Sequence, residues 1–259
     1  MNEHRSIDFR RGLVALAGRE VRRVLSLWSQ TIAPPVVSGC LMLAIFAGAL
    51  SDKLREVEGV LYLDFILPGI LVMTVASQSF ANNATSVFQA KNEGYIEDVL
   101  TSPLSAWQTV SAFMAGGMVR ALTAAAIIVG VSFPFAAGFD RWPLVIVVLV
   151  LTAISFGALG VVVGMWADTF DRHSFIANLV IAPLAMVAGV FYSAGLLPQP
   201  WQTITQLDPI YYLVDATRAG TAGFHETSVA ASLLVAGGLA IGLTVLAAAL
   251  YARGWRLKP

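Results

Sequence analysis

Charged residues in this chain fall in narrow bands, and the intervals between those bands are as long as a bilayer is thick. A helix rises 1.5 Å per residue, so roughly 20 apolar residues cross about 30 Å of hydrocarbon. The intervals from Leu25 to Ser51, Phe65 to Ala90, Trp142 to Ala167 and Thr227 to Ala252 each hold one such helix. The interval from Ser174 to Leu207 holds another, expected to end near Leu197 because Pro198 and Pro200 follow. Between Pro103 and Pro134 a helical stretch longer than a bilayer is interrupted only by Arg120, so its first turns are expected to stand outside the membrane. The reading is an all-α integral membrane protein with six transmembrane helices, at about 29–50, 65–83, 112–134, 143–166, 175–197 and 229–251 of a 29–252 domain. Composition agrees: 12% of residues are charged, where soluble domains carry about 25%.

Six spans put both termini on one side, and lysine and arginine choose it. One face collects Arg5, Arg10, Arg11, Arg19, Arg22, Arg23, Lys91, Arg172, Arg253, Arg256 and Lys258; the other holds Lys53, Arg55, Arg141 and Arg218. Both termini, including a tail at 253–259, are therefore expected in the cytoplasm. Arg120, inside the third span, snorkels to the headgroups, pairs with an acid or lines an inner vestibule. Residues 1–28 read as an amphipathic interfacial helix, with Phe9, Leu13, Leu16, Val24 and Leu27 on one face and Arg11, Arg19, Arg22 and Arg23 on the other. Glu20 breaks the apolar face.

Several chemistries are missing. Lys53, Lys91 and Lys258 follow Asp, Ala and Leu, so there is no phosphate-binding G-x-x-x-x-G-K-[ST] loop. His4, His173 and His225 form no H-E-x-x-H pair, and Cys40 is a lone cysteine in an apolar run, so no metal site or disulfide framework is expected. Net charge is zero, which gives no support for a nucleic-acid partner. No span carries a central carboxylate of the kind an ion-driven carrier uses. Gly157, Gly160 and Gly164, and Gly238 and Gly242, are small residues at helical spacing that pack helices within the chain or between two copies.

Between the second and third spans stands "AKNEGYIEDVLTSPLS". Glu93, Glu97 and Asp98 lie at i, i+4 and i+5, with Tyr95 and Val99 on another face, so the stretch is either a connector or a short helix that docks a soluble partner. From Phe191 to His225 the chain is too broken by proline and charge to span, yet too apolar for a solvated loop; irregular backbone at membrane depth must be shielded by protein or line a wet cavity.

These stretches resemble the permease subunits of ABC-2 type transporters (type V exporter-like), the branch that includes the nodulation-factor exporter permeases and their drug-, polysaccharide- and lipid-exporting relatives. The resemblance covers nearly the whole chain and rests on "WSQTIAPPVVSG", "FILPGILVM", "FQAKNEGYIEDVLTSPLS", "WADTFDRHS" and "GVFYSAGLLPQPWQTITQLDPIYYLVDATRAGTAG". It implies that 84–106 carries a coupling helix seated on a cytoplasmic ATPase, with Ala90, Lys91, Ile96, Glu97, Leu100 and Pro103 at the matching positions and Asp98 where relatives often have a second acid; Glu93, an acid of the same stretch, is expected to couple with them. Residues 198–226 would re-enter the outer leaflet, and Phe191, Tyr192, Trp201, Asp208, Pro209, Tyr211, Tyr212 and Arg218 would form an outer gate. An interfacial aromatic belt is the plainer reading of those rings, and a pair with Asp215 the plainer reading of Arg218. The resemblance further implies a bacterial inner-membrane exporter of an amphiphilic substrate. It would work with membrane lipid around it, a second permease copy, and two copies of an ABC ATPase that bind ATP and Mg; this chain would hold no cofactor. An ion-driven carrier and a non-transporting scaffold are the alternatives.

Overall fold

The computed structural model describes residues 2–49, 56–57, 59–134 and 138–257. Helix α1 (Asn2–Ser26) leads through the single turn α2 (Trp28–Thr31) into α3 (Ala33–Ala49). A two-stranded antiparallel ribbon, β1 (Glu56–Val57) and β2 (Val60–Leu61), precedes the long α4 (Tyr62–Asn92). Then come the short α5 (Ile96–Thr101), α6 (Ala106–Ser132) and α7 (Trp142–Trp166). Beyond them lie α8 (Phe170–Ile176), a π turn (Ala177–Ile181) and α9 (Ala182–Val187). Finally, α10 (Trp201–Leu207) and α11 (Pro209–Thr221) precede α12 (Val229–Ala252).

Five helices among the described residues are long and apolar enough to cross a membrane: 28–46, α4, α6, α7 and α12. The expected fifth span at 175–197 is not one continuous helix. Pro183 lacks an N–H, and its ring crowds the carbonyl four residues back, at Leu179, inside the π turn. Helix resumes with Pro183 in the first turn of α9, where its missing donor is harmless. The helical path then stops at Val187, ten residues before the expected limit of 197. The second helix also departs from expectation, since α4 runs on to Asn92 and leaves only 93–105 between it and α6.

Helix α4 is the axis of the bundle and packs on α3, α6, α7 and α11. Its contact with α7 depends on glycine: a Cβ on Gly160 would lie 2.5 Å from the carbonyl oxygen of Phe80, and one on Gly164 2.7 Å from that of Ala84. Backbones this close exclude any side chain, so this glycine stripe serves packing within the chain. Around Gly238 and Gly242 of α12, by contrast, nothing described lies within 4 Å.

The two ends of the bundle differ. At one, Val87, Ala90, Ile96, Val110, Met165, Tyr251 and Leu257 form an apolar cluster ringed by Arg19, Lys91, Arg172 and Arg256; we call it the basic end. At the other, the aromatic end, the start of α4 meets the end of α3 and the segment 188–224, with Tyr62 donating to the Phe191 carbonyl at 3.3 Å. Ala167 touches Lys91 at the basic end and Gly189 touches Arg218 at the aromatic end, so the broken stretch 168–188 joins the two ends. The last residues of α12 lie at the basic end beside those of α4 and α7.

Candidate functional site

At the basic end, α4 stops because Gly94 turns the chain with φ +82°, a conformation side chains resist. Helix α5 then presents Ile96 inward, buried, with Tyr95, Val99 and Leu100 packed around it, while Glu97 and Asp98 face away, exposed. Glu93 is not on this helix: it caps α4 on the far side of Gly94, so the expected face shared by Glu93 and Glu97 does not form. Pro103 follows the extended C-cap Ser102, where it cannot continue the helix. Two residues on, Ser105 and Gln108 form a capping box that starts α6.

Lys91 is turned inward. Its Nζ donates to the carbonyls of Met165 at 2.6 Å and Ala167 at 3.1 Å, groups at the end of α7 with no intrahelical partner. Asp168 in "WADTFDRHS" gathers cations around this corner, with Lys91 at 4.0 Å, Arg256 at 3.5 Å and a close pair to Arg172. Arg256 also donates to the Trp166 carbonyl.

The N-terminal helix meets the same corner through the residue that spoiled its apolar face. Leu16, Glu20 and Val24, spaced by four, form the buried stripe of α1, and Glu20 is 1% exposed. Ser86 of α4 donates to it at 2.6 Å, and Arg19 and Arg23 pair with it at 2.9 and 3.0 Å. Arg23 also reaches Gln89 and Asn82, and the Arg19 guanidinium lies 4.4 Å above the Tyr95 ring. Burial pushes the Tyr95 phenol above its ordinary range, with Arg19 pulling the other way. The expected wheel is therefore amended: Leu27 is exposed, and the helix turns a carboxylate into the protein. The spacing Leu16, Glu20, Val24 was the available signal; the expected place of Phe9 lies outside the described side chains.

At the aromatic end the expected gate residues come together, but most are engaged by neighbouring groups of the fold. Phe191 stacks on Phe46 with centroids 5.5 Å apart, and Phe46 meets Tyr62 edge-on. Tyr192 donates to the Val187 carbonyl, Tyr212 donates to that of Gln206, and Tyr211 packs edge-on to Tyr212. Asp208 caps α11 through Oδ1 and the Ile210 N–H at 2.8 Å, with Pro209 as first helical residue; its Oδ2 is buried without a hydrogen-bond partner among the described residues. Trp201 stands apart, exposed.

Arg218, 1% exposed, lies 3.8 Å above the Phe65 ring and donates to the carbonyls of Phe65 at 3.2 Å and Gly189 at 2.8 Å. Its ion-pair partner is Glu226, at 3.7 Å, and not the neighbouring Asp215. Asp215 instead accepts from the backbone N–H groups of Glu226 and Thr227 and holds that loop in place. Glu226 in turn accepts from the N–H groups of Ala194 and Gly195. Arg218 is thereby shielded from solvent and committed to the fold of the segment 189–226. Sequence spacing favoured Asp215 at three residues; Glu226 comes within reach only after the turn at Gly223, which has φ +69°.

Residues 11–221 match the ABC-2 type transporter family. Over 246 residues the chain is 32% identical to the inner membrane transport permease YadH of Escherichia coli K12, covering 95% of this chain and 93% of that one. It is 26% identical to the daunorubicin resistance ABC transporter permease protein DrrB1 of Streptomyces coeruleorubidus, over 84% of this chain and 76% of the relative. Nodulation protein J of Neorhizobium galegae is 27% identical, over 78% and 79%.

Proposed function

Because the chain belongs to the ABC-2 type transporter family, we propose that it is the membrane subunit of an ATP-driven exporter of the inner membrane, paired with a second copy of itself and driven by two copies of a separate ATPase. ATP and Mg are held by that ATPase. The basic end faces the cytoplasm, as the distribution of lysine and arginine requires, and the broken stretch 170–187 crosses as a sixth span, which returns both termini to that side. The pathway runs along α3, α4 and this sixth span, and the segment 189–226 closes it on the outside.

The observation that carries the reading is α5. A six-residue helix roots itself through Ile96 and Leu100 in the apolar cluster shared by α4, α6, α7 and α12, and holds Glu97 and Asp98 outward. A push on its acidic face is passed to four helices at once. ATP binding then biases the gate through the different affinity of nucleotide for the two conformations. Lys91 serves as a brace behind α5, and Glu93 sits at its edge. The cargo is amphiphilic: a lipid-linked glycan, glycolipid, lipid or hydrophobic drug. Two relatives named for daunorubicin resistance and nodulation are in keeping with this.

The test is co-purification of the cognate ATPase with the full-length protein in nanodiscs, comparing wild type with Glu97→Arg. Loss of the ATPase, or hydrolysis no longer coupled to transport, is expected for the charge reversal. Binding and coupling unchanged by reversal at both Glu97 and Asp98 would overturn the docking role of α5.

A further inference from the structure

On the side of the bundle walled by α3, α4 and α6, with Gln30 of α2 at its edge, lies an open cavity of about 410 Å³. That is within the roughly 300–1,000 Å³ typical of small-molecule sites. Its lining is segregated. Helix α3 runs from the basic toward the aromatic end and α4 runs back, so Gln30, Ser38 and Gln78 fall toward the basic end while Met42 and Ile70 fall toward the aromatic end. Arg120 joins the polar half, about 20 Å along α6 from Ala106.

Two polar atoms on this lining are unsatisfied. Arg120 Nε and Gln78 Oε1 are buried without hydrogen-bond partners among the described residues. No carboxylate lines the cavity among those residues, and the charge that acts on Arg120 is another cation, Arg23. A buried Nε–H without an acceptor is costly, and an arginine within a span marks a ligand path more often than packing.

We infer that this cavity receives the anionic headgroup of an amphiphile, a phosphate or carboxylate held by Arg120 in the polar half with its apolar part lying along Met42 and Ile70. This deepens the exporter reading and rests on it. Guanidinium presents paired donors to such an oxyanion, and Gln78 supplies an amide beside it. The cavity would then select among the cargo classes above: phosphorylated or carboxylated amphiphiles enter, and cationic ones are repelled.

The test measures binding of dodecyl phosphate to the purified full-length protein in nanodiscs, with dodecyl maltoside, dodecyltrimethylammonium and inorganic phosphate as comparisons. Dodecyl phosphate is expected to bind, with affinity falling about tenfold or more in Arg120→Gln, the loss of a charged hydrogen bond, and largely retained in Arg120→Lys. Gln78→Glu should weaken dodecyl phosphate and admit dodecyltrimethylammonium. Equal affinity for dodecyl phosphate in wild type, Arg120→Gln and Gln78→Glu overturns the inference, and so does equal loss of dodecyl maltoside binding. Displacement by inorganic phosphate at the same concentration would overturn the amphiphile assignment. ATPase co-purification is followed on the same samples: binding that ignores Arg120 while the ATPase stays bound sinks this inference alone, whereas loss of the ATPase from wild type sinks the exporter reading.

Discussion

At the aromatic end Arg218 is enclosed by two carbonyls, a phenyl ring and Glu226, and Glu226 is itself held by backbone N–H groups. At the basic end Glu97 and Asp98 stand on a six-residue helix with their carboxylates exposed and no ion pair to either among the described residues. The same kinds of charge are spent differently. At the aromatic end the charge of Arg218 is neutralised by the fold, since an uncompensated buried one costs several kcal/mol. On α5 the charges are left to water, where they cost little and remain free for another molecule. Burial of a charge thus marks what holds the chain together, and solvation of a charge on an anchored helix marks what it offers to a partner.

The contrast can be broken by substitution. Arg218→Met removes the hub of the aromatic end: Glu226 loses its cation, and the carbonyls of Phe65 and Gly189 lose the guanidinium hydrogen bonds. A loss of about 3–5 kcal/mol is expected, read as poor yield and a large fall in the unfolding temperature of the detergent-purified protein. If Arg218→Met folds as well as wild type, the aromatic end is not locked by its charges. Glu20→Ala leaves Arg19, Arg23 and Ser86 without their acceptor and should cost about 1–3 kcal/mol. Its signature is local, with faster hydrogen exchange in α1 and unchanged exchange in α11.

Smaller effects sharpen the comparison. Asp208→Ala removes the cap of α11, for about 0.5–2 kcal/mol in thermal unfolding. Asp208→Asn keeps the Oδ1 contact and removes a buried carboxylate with one unpartnered oxygen, so it should be neutral or stabilising. Glu97→Arg should leave the unfolding temperature where it is, because its carboxylate touches nothing that holds the fold. An unfolding temperature that fell with Glu97→Arg would place α5 with the structural charges and not with the docking ones.

Much of this was open to a reading of residue types in order. Six apolar intervals read as spans, and five of them hold helices long and apolar enough to cross a membrane, because hydrocarbon length and helix rise leave few alternatives. The glycine spacing in α7 announced a close helix contact, and the spacing of Glu97 and Val99 announced a short helix with two faces, although Glu93, expected beside Glu97, stays at the end of α4. Partners were harder. Arg218 has an acid three residues away, and local spacing favours it, yet that acid is engaged by a loop and the true partner arrives across a turn. Glu20 looked like a flaw in an amphipathic stripe until α4 supplied Ser86 beside it. Lys91 was grouped with the docking residues, and only the end of α7 revealed that its amine closes unsatisfied carbonyls.

By itself the sequence determined that the chain lives in a membrane, which intervals hold five of its long helices, and which segment carries outward acids, since these follow from local hydropathy, caps and turn residues. Tertiary structure alone decided which charges meet, that the fifth apolar interval is broken by a π turn, and that Arg120 faces a cavity with no carboxylate on its lining among the described residues. Those outcomes depend on groups brought together from distant parts of the chain, and the energy of a buried charge is set by what surrounds it.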